Sequence, residues 1–115
     1  MTRKKLLDFH EDFCARALSV MAAKNHDYAG DSGADPFANF RAVERLGLCS
    51  TETGILVRMT DKLKRLATFA ECGKLVVPNE GAEDACLDIV NYAILLAGVI
   101  KEKTDGTPSI RNDSE

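Results

Sequence analysis

The chain has little of what would mark a disulfide-built, zinc-binding or membrane protein. Its 115 residues hold four cysteines, Cys14, Cys49, Cys72 and Cys86, and no two of them lie at metal-ligand spacing. Each sits in a helical or apolar context, which predicts reduced core thiols rather than a disulfide frame. The two histidines, His10 and His26, are far apart and fit no zinc pattern. Charge of one sign is also scarce: the net value of −3 excludes a broad basic surface for a nucleic-acid polymer. The opening MTRKKLLDFHEDF is too polar for a signal peptide. The apolar run 85–100 is shorter than a membrane span and carries Asp88. These absences predict a soluble, cytoplasmic chain with no membrane partner.

Strands are missing too, since no segment alternates apolar and polar residues over strand length. No internal repeat or linker divides the chain. The glycine-rich GDSG is too short for a phosphate loop and leads into no strand–helix unit. What is present is helical periodicity, and it predicts an all-α four-helix bundle. A single domain spans 1–103, and 104–115 reads as a polar flexible tail.

The first helix is expected over 3–24, capped by Thr2, with Leu6, Phe9, Phe13, Leu18 and Met21 as its apolar stripe. Residues 25–35, NHDYAGDSGAD, read as a loop. Asp35-Pro36 reads as a cap followed by proline at the first helical position, opening a short helix over 36–46 that Gly47 closes. Ser50 or Thr51 caps a third helix over 52–72, ended by Gly73 and carrying a heptad-like seam of Leu56, Met59, Leu63, Leu66 and Ala70. Pro78 forbids regular helix in 74–82, and the last helix follows over 83–103.

That last helix poses a question. From Ala85 to Ile100 nearly every residue is apolar on every side, broken only by Asp88 and Asn91. An aspartate on a helix that is apolar all round is expected to be buried, and a buried carboxylate needs a cation beside it. Asp84, Asp88 and Asn91 share one stripe. Arg58, Asp61, Lys62 and Arg65 share a face of the preceding helix. Two outcomes follow. Asp88 pairs with Lys62 or Arg65 as a packing device, or the two helices build a metal–phosphate site from facing carboxylates and bases. A third cluster joins Lys24, Asp27 and Tyr28 of KNHDYAG to Asn39 and Phe40 of ADPFANF. An aromatic ring beside an amide can hold and read a nucleobase. Phe37 reads as an ordinary core residue.

The ordered set KNxDY, NF, RMxDKxxRL and ED…LDIxNYA, covering roughly residues 20–97, resembles small phage proteins of the MazG-like all-α nucleotide pyrophosphohydrolase group. More narrowly it is similar to small phage domains associated with nucleotide modification. The resemblance implies a MazG-like bundle that forms a homodimer or homotetramer, located in the host cytoplasm if phage-encoded. It implies a small-molecule nucleotide as partner and hydrolysis of a (deoxy)nucleoside triphosphate or modified nucleotide with release of pyrophosphate. Mg²⁺, or Mn²⁺ in its place, would be held by Asp61, Asp84 and Asp88, with Asp61 and Asp88 as catalytic residues. Phosphates would meet Lys62, Arg65, Arg58 and Lys24. Base and sugar would meet Tyr28, Asn39, Asn91 and Asp27.

The chain departs from the family's ExxE and ExxD pairs. Three residues before Asp88 stands Ala85, and Asp84 lies four before it. Around Asp61 the matching positions are Arg58 and Lys64. Fewer acids and more bases favour, as the alternative, a nucleotide-binding protein that does not hydrolyse. A purely structural bundle is the third reading.

Overall fold

The computed structural model describes residues 1–29, 35–73 and 81–106, the side chains of 25–29 excepted. The described chain is all-helical: α1 Arg3–Ala29, α2 Ala38–Arg45, α3 Thr51–Cys72 and α4 Ala82–Gly106. The Thr2 side chain accepts a hydrogen bond from the Lys5 amide at 3.1 Å and so opens α1. The helix then runs on through NHDYA to Ala29 rather than yielding to a loop at residue 25. Asn and Asp are only weak helix breakers, and an established helix extends at little cost per residue.

Asp35 prepares α2. Its Oδ1 accepts from the Phe37 amide at 3.0 Å, and the regular helix starts two residues after Pro36. Gly47, at φ 77°, takes the left-handed conformation that turns the chain after α2. Of the two caps open in the sequence, Ser50 is the one used: its Oγ accepts from the Thr53 amide at 3.1 Å. Such a cap contributes about 1 kcal/mol. Gly73, at φ 79°, closes α3 through its amide on the Phe69 carbonyl.

The sequence-predicted bundle is more open than expected. Among the described residues α4 packs against both α3 and α1, α2 touches α3 and α1, and α1 and α3 do not meet. The core is Phe40, Ile55 and Val99, with Phe37, Met59, Tyr92, Leu95 and Leu96 packed on it. Ile55 is fully buried, worth roughly 2 kcal/mol of apolar burial. Phe37 is partly buried and packs against that core, where the sequence reading expected an ordinary core residue. No described helix is long and apolar enough to cross a membrane.

A polar joint ties α2, α3 and α4 together beside this core. Glu44 Oε1 accepts from the Thr51 amide at 2.8 Å and from the Thr51 hydroxyl at 2.9 Å, so α2 supplies a second cap to α3. Those two hydrogen bonds, the backbone one first, hold the Glu44 carboxyl below its ordinary range. Lys103 of α4 donates to Glu52 Oε2 and lowers that carboxyl as well. Arg41 bridges Asp35 at 2.9 Å and Glu102 at 2.6 Å.

The four cysteines are all free thiols, as expected, but not core thiols. Cys14, Cys72 and Cys86 are exposed because each falls on the outward face of its helix, and Cys49 is half-buried.

Candidate functional site

Asp88 answers the question its helix posed. Its Oδ2 lies 3.1 Å from Lys62 Nζ of α3, and its Oδ1 lies 3.7 Å from Lys24 Nζ of α1. The Asp88 and Lys62 side chains are each only 21 % exposed. A half-buried carboxylate with two ammonium partners is compensated, and it in turn fixes where those two cations stand. Lys62 is one of the two partners expected on α3.

One helical turn on, Asn91 is 8 % exposed and donates through Nδ2 to the Ala17 carbonyl of α1 at 3.0 Å. Its Oδ1 is buried without a hydrogen-bond partner among the described residues. Both polar residues of α4's apolar stretch therefore point inward, toward α1 and α3.

Beside them lies a cleft to which all four helices contribute. Lys24, Asn39, Arg58, Asp88 and Asn91 line it, with Met21, Phe40, Tyr92 and Leu95 among its apolar walls. The Arg58 guanidinium sits 5.1 Å from the centre of the Phe40 ring, within cation–π range. Tyr92 meets the same ring edge-on at 6.4 Å. Among the described residues Arg58 has no carboxylate partner. The cleft thus combines aromatic and aliphatic walls with two cations and two amides. That mixture suits a molecule with a flat ring and an anionic group.

The structure gathers five of the residues expected at the site, Lys24, Asn39, Arg58, Asp88 and Asn91, and Lys62 joins through Asp88. It disperses others. Asp84 turns to α1, where its Oδ1 accepts from Arg16 at 3.1 Å, while Arg16 also donates to Glu83 at 2.7 Å. Asp61 is exposed and lies 3.6 Å from Arg65 of its own helix. The side chains of Asp27 and Tyr28 lie outside the described residues.

Among the described residues no three His, Cys, Asp or Glu side chains converge as metal ligands do. Among the described residues Asp61, Asp84 and Asp88 each have another partner: Asp84 accepts from Arg16, Asp61 lies 3.6 Å from Arg65, and Asp88 lies within ion-pair distance of Lys62 and Lys24.

The cleft residues not foreseen were Met21, Pro36, Tyr92 and Leu95. A signal for Tyr92 was present: it stands four residues after Asp88, hence on the same helical face. Arg16, the partner of Asp84, carried no signal, because the pairing spans most of the chain.

No protein-family model matches this chain, and no curated protein or solved structure is significantly similar to it.

Proposed function

We propose that this chain binds a nucleotide in the cleft between its four helices and works as a homo-oligomer. The observation that carries the reading is the placing of the Arg58 guanidinium over Phe40 beside the Lys62–Asp88–Lys24 cluster at one largely apolar cleft. Arg58 and Lys24 meet the phosphates, Arg58 through its planar fork of donors. Asp88 does not repel the anion, because its own charge is balanced by two lysines. Phe40, Tyr92 and Leu95 give the base an apolar and aromatic surface, and Asn39 supplies amide groups for its edge.

Binding without hydrolysis is favoured over the MazG-like pyrophosphohydrolase reading by the placement of the acids. Asp61 and Asp84 engage arginines away from Asp88, so the chain offers bases where a metal-dependent hydrolase needs carboxylates.

The test is a panel of ribo- and deoxynucleoside triphosphates added to the pure protein with Mg²⁺ or Mn²⁺. Melting temperature and products are followed together. The expected result is a nucleotide that raises the melting temperature and is recovered intact, since selective binding to the folded state stabilises it. Release of monophosphate and pyrophosphate, lost in Asp88→Asn, would instead establish the hydrolase. A panel that leaves the melting temperature unmoved would leave the structural bundle as the surviving reading.

A further inference from the structure

Only half of the Asn91 side chain is accounted for by the fold. The residue is 8 % exposed, and its Nδ2 donates to the Ala17 carbonyl of α1 at 3.0 Å. That bond settles which way the amide lies, because the reverse orientation would set Oδ1 against the Ala17 oxygen, acceptor against acceptor. Oδ1 is thereby an acceptor of fixed direction, buried and without a hydrogen-bond partner among the described residues. Glu52 Oε1 is in the same condition, but Glu52 holds Lys103 through its other oxygen at the joint of α2, α3 and α4. Asn91 instead lines the cleft. A buried acceptor left unpaired costs more than a hydrogen bond gains, so folded proteins pair nearly all of them. At the wall of a cleft, the missing donor arrives with the ligand.

We infer that Asn91 Oδ1 selects the base by accepting from an exocyclic amino group, so that the cleft prefers cytosine, adenine or guanine nucleotides to those whose base carries only carbonyls. This rests on the nucleotide reading of the cleft. Burial assigns the base, rather than the phosphates, to Asn91. The cations stand at the open side: Arg58 is exposed, and the Lys24 side chain is 54 % exposed. Asn91 and Phe40 are the buried residues of the lining, with half-buried Tyr92 and Leu95 beside them. The phosphate chain stays with the exposed cations, and the flat ring goes to the aromatic and aliphatic end. An amino group projects beyond the ring and donates into an acceptor set in the wall. A carbonyl in the same place would set oxygen against oxygen, both stripped of water. A site built around a buried hydrogen-bonding group rejects a ligand that leaves that group unpaired far more strongly than an apolar wall rejects a small change of size. Asn39 does not supply this choice. It is exposed, and its amide turns to meet either kind of edge, whereas the Asn91 amide is pinned to Ala17.

Matched nucleotides test this. CTP and UTP differ by an amino group against a carbonyl on the ring, as do ATP and ITP, and GTP differs from ITP by an added amino group. Calorimetric titration of each into the full chain gives three affinity ratios. Whichever pair holds the tightest ligand should favour its amino member by about tenfold or more, the effect of leaving a buried acceptor unpaired. In Asn91→Leu that ratio should fall toward one, while binding through Arg58 and Lys24 persists. The variant also loses the bond to Ala17, so its helical circular dichroism is checked first, and the wild-type ratios decide even where it does not fold. Saturable binding in which UTP or ITP equals or exceeds its amino partner would overturn the inference and leave the nucleotide reading standing. So would a ratio unchanged in folded Asn91→Leu, or a preference that follows ribose against deoxyribose and ignores the amino group. If no triphosphate binds, the inference and the nucleotide reading fall together.

Discussion

Lys62 Nζ lies 3.1 Å from Asp88 Oδ2, joining the middle of α3 to the start of α4's apolar stretch through a half-buried ion pair. Lys24 approaches the other carboxylate oxygen from α1. One aspartate thus holds together the two helices that do not touch each other, and it does so at the edge of the cleft.

Breaking that pair should cost stability in a coupled way. Lys62→Met leaves Asp88 with only the more exposed Lys24, and Asp88→Asn leaves two ammonium groups adjacent to each other. Each should destabilise by about 1–3 kcal/mol, as expected when one partner of a partly buried pair is removed. The double variant should lose less than the sum, with a coupling of about 1 kcal/mol. Urea unfolding of the four proteins measures it, and simple additivity would show the pair to be inert.

Acid should loosen the joint between α2 and α3. The Thr51 amide and hydroxyl hold the Glu44 carboxyl below its ordinary value of 4.5. A carboxyl lowered in the folded state contributes stability above its unfolded pKa, and that stability is lost as pH falls through the folded one. Glu52, lowered by Lys103, acts in the same direction. The urea midpoint should therefore drop as pH falls below 4.5, and Glu44→Gln should flatten that drop while lowering the midpoint at neutral pH. An unchanged acid profile in Glu44→Gln would remove the cap from the account.

Much of the fold was legible because its signals are local. Thr2, Ser50, Gly73 and the Asp35-Pro36 pair act over three or four residues, and the helix ends they mark lie within a few residues of where those side chains put them. The end of α1 was not legible, since turn-forming residues within NHDYAG mark a break only when no helix is already running through them. At the site, the Lys62–Asp88 pairing followed from burial: an aspartate on an apolar helix must find a cation. Lys24 as the second cation, and Arg16 as the partner that draws Asp84 away, depend on where α1 lies. No local pattern encodes that.

Close packing between α2 and α3 rests on a missing side chain. A Cβ on Gly54 would lie 2.8 Å from Val43 Cγ2. Valine has few rotamers into which to retreat. Overpacking of this kind costs about 1–3 kcal/mol, against a helix-propensity gain of about 1 kcal/mol for alanine over glycine. Gly54→Ala should therefore destabilise the protein despite lying inside a helix. A stabilised Gly54→Ala in thermal unfolding would mean that the two helices separate easily.

The central claim is that the cleft over Phe40 holds a nucleotide through Arg58. The direct measurement is calorimetric titration of the nucleotide selected by the triphosphate panel into wild-type protein and into Arg58→Ala. Arg58 is exposed and its ring contact is worth about 0.5–1 kcal/mol, so the variant should remain folded. Saturable binding to the wild type at one nucleotide per chain, weakened about tenfold or more in Arg58→Ala, is the predicted result, since a charge-assisted phosphate contact contributes about 1.5–3 kcal/mol. Equal affinity in the two proteins, or no saturable heat in the wild type, would contradict it.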